Sequence, residues 1–269
     1  MIGLVHLVWA PLGPEPLRRF LRSYRAHPAG AEHEVVIVLN GAQVEGAPLS
    51  REEAMAELEG TQHRLVELER PMQDLAAYGE VARRLGHERV CFLNSFSVIL
   101  ADGWLGHLAQ VAELPGVGLV GATGSWESQA EWMRGDPRGW ARQLSAVLAA
   151  RRDYPRFPNP HIRTTAFMLD CQSTLELDLR QARDKRAAYL LESGWHSITR
   201  QILESGRRAV VVGRDGRAYD VGEWKHSRTY RAGNQENLLV ADKRTEDWQQ
   251  ASSRMRRRLS RDAWGSARP

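Results

Sequence analysis

The chain has 269 residues, of which 42% are hydrophobic and 26% charged, and its formal net charge at pH 7 is +4. This composition excludes an intrinsically disordered chain and suits one large α/β domain or a domain with an appendage. No apolar run approaches the roughly 20 residues of a membrane-spanning helix. The apolar start, residues 1–8, lacks a basic leader and a small-residue cleavage site, so we interpret it as a first strand.

Short apolar runs rich in Val, Ile and Leu alternate with helical patterns along most of the chain. This alternation predicts an α/β fold, with a mainly parallel sheet covered by helices on both faces. Sites in such sheets lie beyond the carboxyl ends of the strands. The predicted strands cover residues 4–9, 34–39, 65–68, 89–93, 117–120, 164–169 and 209–212, and the predicted helices cover about 14–26, 50–59, 73–86, 102–113, 138–150, 180–192 and 195–205.

The regular alternation weakens after residue 121. Residues 214–237 read as a long loop, of the length that is more often functional than idle. A last helix with a ragged end is predicted at about 242–262. With no internal repeat, we expect one compact domain, divided into a donor-binding half at 1–122, an acceptor half at 123–240 and a basic C-terminal helix or tail at 241–269.

Several familiar catalytic motifs are absent from the sequence. There is no glycine-rich phosphate loop after the first strand, no His-Glu-x-x-His, no paired Cys-x-x-Cys and no Gly-x-Ser-x-Gly. The spaced glycines Gly118, Gly121 and Gly124 begin inside a strand and not after one. They leave two interpretations, a weak dinucleotide signal or a close-packed strand followed by a turn.

Four segments, in order, carry a family resemblance. They are a second strand ending in Asn40, a helix carrying Asp74, a central strand ending in Asn94-Ser95-Phe96-Ser97, and Glu192 followed by Arg200, a glycine and a strand. Together they resemble the GT-A fold glycosyltransferases, especially the bacterial polysaccharide-forming enzymes. The resemblance covers roughly residues 2–215 and rests on order and context.

The resemblance implies transfer of a sugar from a nucleotide-diphosphate donor to a glycan or lipid-linked acceptor, as a hexosyltransferase of the inverting type. Asn40 and Asp74 would hold the nucleoside. Asn94, Ser95 and Ser97 would lie under the diphosphate and the donor sugar. Glu192 would take the proton of the acceptor hydroxyl, as an inverting transfer requires.

The central strand departs from the family pattern, which places metal-binding aspartates where this chain has Asn94-Ser95-Phe96. Neutral oxygens hold a hard cation poorly. The negative charge of the leaving diphosphate must still be neutralised. One solution is Mg²⁺ or Mn²⁺ held mainly by the donor phosphates, with Asn94, Ser95 and His226 as weak contacts. The other is replacement of the metal by Lys225, His226 and Arg228, in a stretch where the family has a flexible loop over the diphosphate.

The acceptor side is expected around residues 159–170, where similar stretches line the acceptor site in the polysaccharide-forming enzymes. His161, Arg163 and Thr165 are the candidates there, with His196 as a further acceptor contact. Each has the alternative of ordinary strand-entry or helix packing. Trp126, Trp132 and Trp140 suit either a sugar-stacking platform or a packed second layer.

Two rival functions stay open: a GT-A-fold protein that binds without catalysis, and a nucleotidyltransferase, which would want a basic glycine-rich loop after the first strand. A methyltransferase fails on the same absent loop. No nucleic-acid partner is expected.

Cys91 and Cys171 favour free thiols in the cytoplasm. The basic stretch 254–261 is either a solvated helix end or a contact with an anionic membrane surface, which would place the protein peripherally at the inner membrane.

Overall fold

The computed structural model describes residues 1–132 and 150–266, without the side chains of residues 131 and 132. Nearly all of the helix predicted at 138–150 lies outside these residues, as does Trp140. The side chain of Trp132 lies outside them too.

The described strands build an eight-stranded sheet and two small two-stranded sheets. In the large sheet the order is β11-β10-β6-β9-β4-β1-β2-β3. The run from β4 to β3 is parallel, β9 is antiparallel to both of its neighbours, and β10 is parallel to β6. The strands are β1 Ile2–Trp9, β2 His33–Asn40, β3 Arg64–Glu67, β4 Arg89–Leu93, β5 Val98–Ile99, β6 Val117–Gly121, β7 Gly124–Ser125, β8 His161–Ile162, β9 Ala166–Asp170, β10 Arg208–Val212, β11 Ala218–Tyr219 and β12 Val240–Ala241.

Helices cover both faces of this sheet. Alternation along each strand divides its side chains between two buried clusters, as in β1, where Val5 and Leu7 join one cluster and Leu4 and Val8 the other. The predicted mainly parallel α/β fold is therefore confirmed. The helices are α1 Glu15–Ala26, α2 Arg51–Glu57, α3 Asp74–Ala82, α4 Trp104–Ala112, α5 Gln129–Trp132, α6 Cys171–Glu176, α7 Lys185–Ser193, α8 Ile198–Glu204, α9 Lys243–Gln250 and α10 Ser253–Trp264.

Side-chain caps fix where several of these helices begin. Ser197, Asp242 and Ser252 each accept a hydrogen bond from the backbone N–H three residues later. Such caps satisfy amide groups that the first helical turn leaves without partners. The two caps at Asp242 and Ser252 also explain why the single helix predicted at 242–262 is two helices.

The long loop predicted at 214–237 is wrong in part. It contains β11 and a 3₁₀ helix, Val221–Ser227, whose Trp224 is fully buried. The Trp224 ring packs on Gly124, where an added Cβ would come within 2.7 Å of it. Gly121 faces Ile162 in the same way, at 2.4 Å. Close packing therefore accounts for these glycines, which favours the structural interpretation over a dinucleotide loop.

The expected donor and acceptor halves share the large sheet, since β9 of the second half lies between β4 and β6 of the first. The division at residue 122 stays a prediction. Across the described residues, every helix is too short or too polar to cross a membrane.

Candidate functional site

The carboxyl ends of β1, β2 and β4 form one edge of the sheet, and the predicted donor residues follow them. Asn40, the last residue of β2, is fully buried. Its Nδ2 donates to the Met72 carbonyl at 2.8 Å and its Oδ1 accepts from the Met72 N–H at 3.0 Å. Asn40 thus fixes the chain just before α3, which begins with the predicted nucleoside contact Asp74.

The segment after β4 is a tight, self-bonded turn. Asn94 Oδ1 accepts from the Phe96 N–H at 3.0 Å and from the Ser97 hydroxyl at 3.2 Å. The Ser95 hydroxyl accepts from the Trp9 N–H at 3.1 Å, which ties the turn to the end of β1. Ser95 and Ser97 are buried, and Asn94 is half-buried. The turn therefore offers a rigid, neutral surface.

The two threonines before β9 join this turn to Glu192. The Thr165 carbonyl accepts from the Asn94 N–H at 3.0 Å and from the Ser97 hydroxyl at 3.3 Å. The Thr164 N–H and hydroxyl both donate to Glu192 Oε1, each at 3.0 Å. The predicted base and the predicted donor turn, almost 100 residues apart in sequence, thus lie on either side of residues 164–165.

The charges around Glu192 keep it ionised. Burial raises the pKa of Glu192, but His161, the Thr164 N–H, Arg163 and Arg244 lower it by more, so its net pKa is lowered.

The pKa of Asp74 is shifted in the opposite direction. Crowding by protein atoms and the charge of Glu192 raise the pKa of Asp74, although its side chain is exposed to solvent.

A buried ion pair supports the same turn from beneath. Asp242 Oδ2 accepts from Arg163 Nη2 at 2.6 Å and from the Thr165 hydroxyl at 2.7 Å. Burial raises the pKa of Asp242, but the Arg163 guanidinium and these hydrogen bonds bring it down to about 2. The Arg163 guanidinium also lies 4.2 Å from the centre of the Tyr230 ring. Arg163 and Thr165, predicted on the acceptor side, are thus committed to this internal network.

A second buried ion pair also lies close to the Tyr230 ring. Arg231 Nη1 donates to Glu127 Oε1 at 3.0 Å, and its guanidinium stands 4.9 Å from the Tyr230 ring centre. Two arginines thus lie close to one aromatic ring.

His161 is also buried, with Nδ1 2.9 Å from the Asn159 carbonyl oxygen. Burial lowers the pKa of His161, although the charge of Glu192 acts to raise it.

The described residues do not suit a divalent cation held by the protein. They contain no group of three or more His, Cys, Asp or Glu side chains that could hold a metal ion. The oxygens of Asn94 and Ser95 are already occupied by hydrogen bonds within the chain. His226 is exposed on the 3₁₀ helix and Asp242 is paired with Arg163. The chemistry of this donor set favours a site whose positive charges come from arginines.

The other predicted site residues make no described contact with Glu192. Arg228 is exposed and pairs with Glu236 at 2.7 Å, and Lys225 lines a cavity beside α10. His196 is exposed beside Trp195 and lines a separate cavity of about 440 Å³. Trp126 packs edge-on against Trp264 and donates its indole N–H to the Val221 carbonyl, which favours second-layer packing over a sugar platform.

Sequence reasoning missed several members of the site. In the sequence, Asp242 is recognisable only as a helix cap. Its ion-pair partner, Arg163, is 79 residues away and gives no local signal. Arg244, two residues further on, influences Glu192 through its charge. Glu127 and Arg231 are 104 residues apart. Long-range pairs of this kind leave no local periodicity in a sequence.

The chain was compared with known proteins in three ways. No family model matches it, and neither does any curated protein. Among solved structures it is similar to a Pyrobaculum calidifontis mannosyltransferase in complex with GDP-Man and Mn²⁺, with 17% identity, a TM-score of 0.46, and 84% of this chain and 59% of that chain covered.

Two further structures are similar to it. One is glucosyl-3-phosphoglycerate synthase of Mycobacterium tuberculosis in complex with Mn²⁺, UDP and glucosyl-3-phosphoglycerate, with 14% identity, a TM-score of 0.38 and coverage of 64% and 57%. The other is the galactosyltransferase LgtC in complex with donor and acceptor sugar analogs, with 10% identity, a TM-score of 0.43 and coverage of 73% and 68%. The chain thus spans less than two thirds of the first two structures.

Proposed function

We propose that the protein is a glycosyltransferase that takes a sugar from a nucleotide-diphosphate donor and transfers it to a hydroxyl of a glycan or lipid-linked acceptor. One observation carries the proposal. Glu192, ionised and anchored by Thr164, stands across residues 164–165 from the rigid turn 94–97 at the carboxyl edge of the sheet. The proposed donor is of the class bound in the similar structures, but the proposal rests on this geometry and on the ordered sequence segments.

The proposed chemistry is a single inverting displacement. The acceptor oxygen forms a bond to the anomeric carbon, and its proton passes to Oε2 of Glu192. The bond from the anomeric carbon to the diphosphate breaks, and the nucleoside diphosphate leaves with the electron pair. Glu192 suits the base because it is a carboxylate and because the two hydrogen bonds to Oε1 fix its orientation.

In the proposed complex, Asp74 contacts the nucleoside from the first turn of α3, and Asn40 sets the place of that turn through Met72. The neutral turn 94–97 lies beneath the diphosphate. Arg244, whose charge acts on Glu192, supplies positive charge to the leaving group. In the proposal Arg244 replaces Lys225, His226 and Arg228 as the source of positive charge, because those three residues make no described contact with Glu192.

Calorimetry with a panel of nucleoside diphosphates and their sugars tests the proposal. We expect one base class to bind, with Asp74→Ala weakening the affinity by about 10-fold, a typical loss for one polar contact. Asp102→Ala removes an exposed carboxylate two residues before α4 and serves as the matched control. Failure of every nucleotide to bind would contradict the proposed function.

One rival keeps a specific observation in its favour. The self-bonded turn 94–97 has no carboxylate, which suits a protein that binds sugar nucleotides without turning them over. Binding of a nucleotide sugar by the wild-type protein without any donor turnover, across a panel of acceptors, would support this alternative.

A further inference from the structure

A large cavity lies outside the site described above. It has a volume of about 820 Å³ and is bounded by α10 on one side and by residues 231–234 on the other, with Trp248 and Trp264 in its wall. We call it the C-terminal cavity. Small-molecule sites in proteins have volumes of about 300–1,000 Å³, so its size suits a discrete ligand.

The lining of the C-terminal cavity is strongly basic. Among the described residues, seven cationic side chains and no carboxylate line it. Arginines at 254, 257, 258 and 261 follow the i, i+3, i+4, i+7 spacing of one helix face, so the sequence concentrates them on one side of α10. The seven are Lys225, Arg231, Arg254, Arg256, Arg257, Arg258 and Arg261.

Most of this charge is uncompensated within the described part of the chain. There, no carboxylate pairs with Arg254, Arg257 or Arg261, and Arg258 reaches Asp262 only at 4.0 Å. Arg256 differs, because it is held by the Ala251 carbonyl and stacks on Trp248 at 5.2 Å. Like charges held on one face repel each other, and an anion between them would relieve this repulsion.

Arg231 adds a second, independent observation. Its side chain is only 7% exposed, yet it lines the cavity. Nη1 bonds Glu127, but the buried Nε has no hydrogen-bond partner among the described residues. Because Glu127 holds this guanidinium in place at the cavity wall, Arg231 presents a fixed positive charge, which an anion meets without first having to order the side chain.

We propose that the C-terminal cavity binds a ligand that carries two or more clustered phosphate groups. Arginine suits phosphate because its planar fork donates two parallel hydrogen bonds, and seven cations exceed what a single carboxylate needs. The cavity is open on its outer side, so it can admit either a free polyphosphate or a lipid headgroup that carries phosphate. The inference does not depend on the proposed function, since Lys225 is the only predicted donor residue in this lining.

The test uses the full chain at about 0.15 M salt, where loose surface attraction is largely screened. Inorganic tripolyphosphate probes a soluble source, by calorimetry. Vesicles of phosphatidylglycerol, against phosphatidylcholine, probe a lipid source, by sedimentation. The cavity variant is Arg254→Gln, Arg257→Gln and Arg261→Gln together. Its control carries Arg22→Gln, Arg51→Gln and Arg83→Gln, which remove the same charge from exposed positions elsewhere.

We expect wild type to bind at least one probe, the cavity variant to lose 10-fold or more in affinity, and the control to stay within about 2-fold, because only the first removes ligating arginines. Binding of tripolyphosphate alone assigns a soluble ligand. Vesicle binding that tripolyphosphate displaces assigns a headgroup. Equal weakening in both variants, or no binding of either probe, would overturn the proposal. Retained nucleotide binding by the cavity variant separates this result from any failure at the Glu192 site.

Discussion

A single carboxylate oxygen of Glu192 accepts both the backbone N–H and the hydroxyl of Thr164, each at 3.0 Å. Because Thr165 holds the turn 94–97 through its carbonyl, this pair fixes the distance between the proposed base and the proposed donor site. We assign the acceptor proton to the other carboxylate oxygen, Oε2, which accepts no hydrogen bond from the residues that the structure describes. The relationship makes the role of Glu192 testable without disturbing the fold.

Replacing Glu192 with Gln should leave the protein folded and remove the base. The Gln carbonyl oxygen can still accept the two hydrogen bonds of Thr164, but it cannot take a proton. We expect kcat for sugar transfer to fall by about 10²–10⁴-fold, the usual contribution of general base catalysis, while donor affinity changes little. The control Glu204→Gln neutralises an exposed carboxylate on α8. Equal activity of Glu192→Gln and this control would rule out Glu192 as the base.

The acid limb of the pH–rate profile should report Glu192. Its pKa is lowered from 4.5, so the base stays ionised and the rate stays constant as the pH falls, until the pH passes below that value. Thr164→Val removes the hydroxyl that donates to the carboxylate and keeps the backbone N–H, so the limb should move to higher pH. Thr61→Val, at an exposed hydroxyl bonded to Arg25, is the control. A limb that stays in place in Thr164→Val contradicts the assignment.

Asp242→Asn should be among the more destabilising single changes in the chain. It leaves the buried Arg163 guanidinium without its counter-charge, which costs roughly 3–5 kcal/mol of the free energy of unfolding. Glu113→Gln, which disrupts an exposed pair with Arg89 at 3.4 Å, should cost less than about 1 kcal/mol. Urea denaturation of both variants measures the difference. Similar midpoints for the two would show that the buried pair contributes little.

The same residue predicts a loss of stability in acid. The pKa of Asp242 is lowered from 3.8 to about 2 in the folded protein. Between these values the unfolded chain takes up a proton that the folded protein does not, so the free energy of unfolding falls as the pH falls. The stabilisation is complete above pH 3.8 and is lost towards pH 2, and it amounts to about 2 kcal/mol. Asp242→Asn should show a flatter pH dependence across this window. An unchanged slope would mean that other carboxyl groups dominate.

Chelation of divalent cations should have a small effect on donor binding. The oxygens of the turn 94–97 are occupied, and the described residues provide no carboxylate cluster for a cation. We expect the affinity for the nucleoside diphosphate to change by less than about 3-fold between EDTA and Mn²⁺, since arginine charge can replace a metal at a phosphate. A loss of more than about 10-fold in EDTA would show that a metal bridges the donor and the protein.

The main strands followed from local pattern and were predictable to within about two residues. The strand predicted at 89–93 begins and ends at those residues, and the apolar runs at 4–9 and 34–39 lie within β1 and β2. Strand periodicity is a short-range property, so a sequence displays it. The loop predicted at 214–237 was mistaken because Trp224 packs on Gly124, a contact between distant residues that overrides the polar local composition.

The site was predictable only in outline. Glu192, Asn94 and the stretch around His161 come from ordered segments, and the structure brings Glu192 and Asn94 to the two sides of residues 164–165. The ion pairs that support them, such as Arg163 with Asp242, depend on the three-dimensional path of the chain. For the same reason the basic stretch at 254–261 gave no sign that it lines a cavity together with Arg231.

A crystal structure with the nucleoside diphosphate that binds best tests the central claim most directly. We predict density for the nucleoside beside Asp74, at the ends of β1 and β2, and for the diphosphate over the turn 94–97, with Glu192 facing the terminal phosphate across residues 164–165. Density elsewhere, as in the C-terminal cavity alone, or a nucleotide-free cleft at saturating concentration, would contradict it.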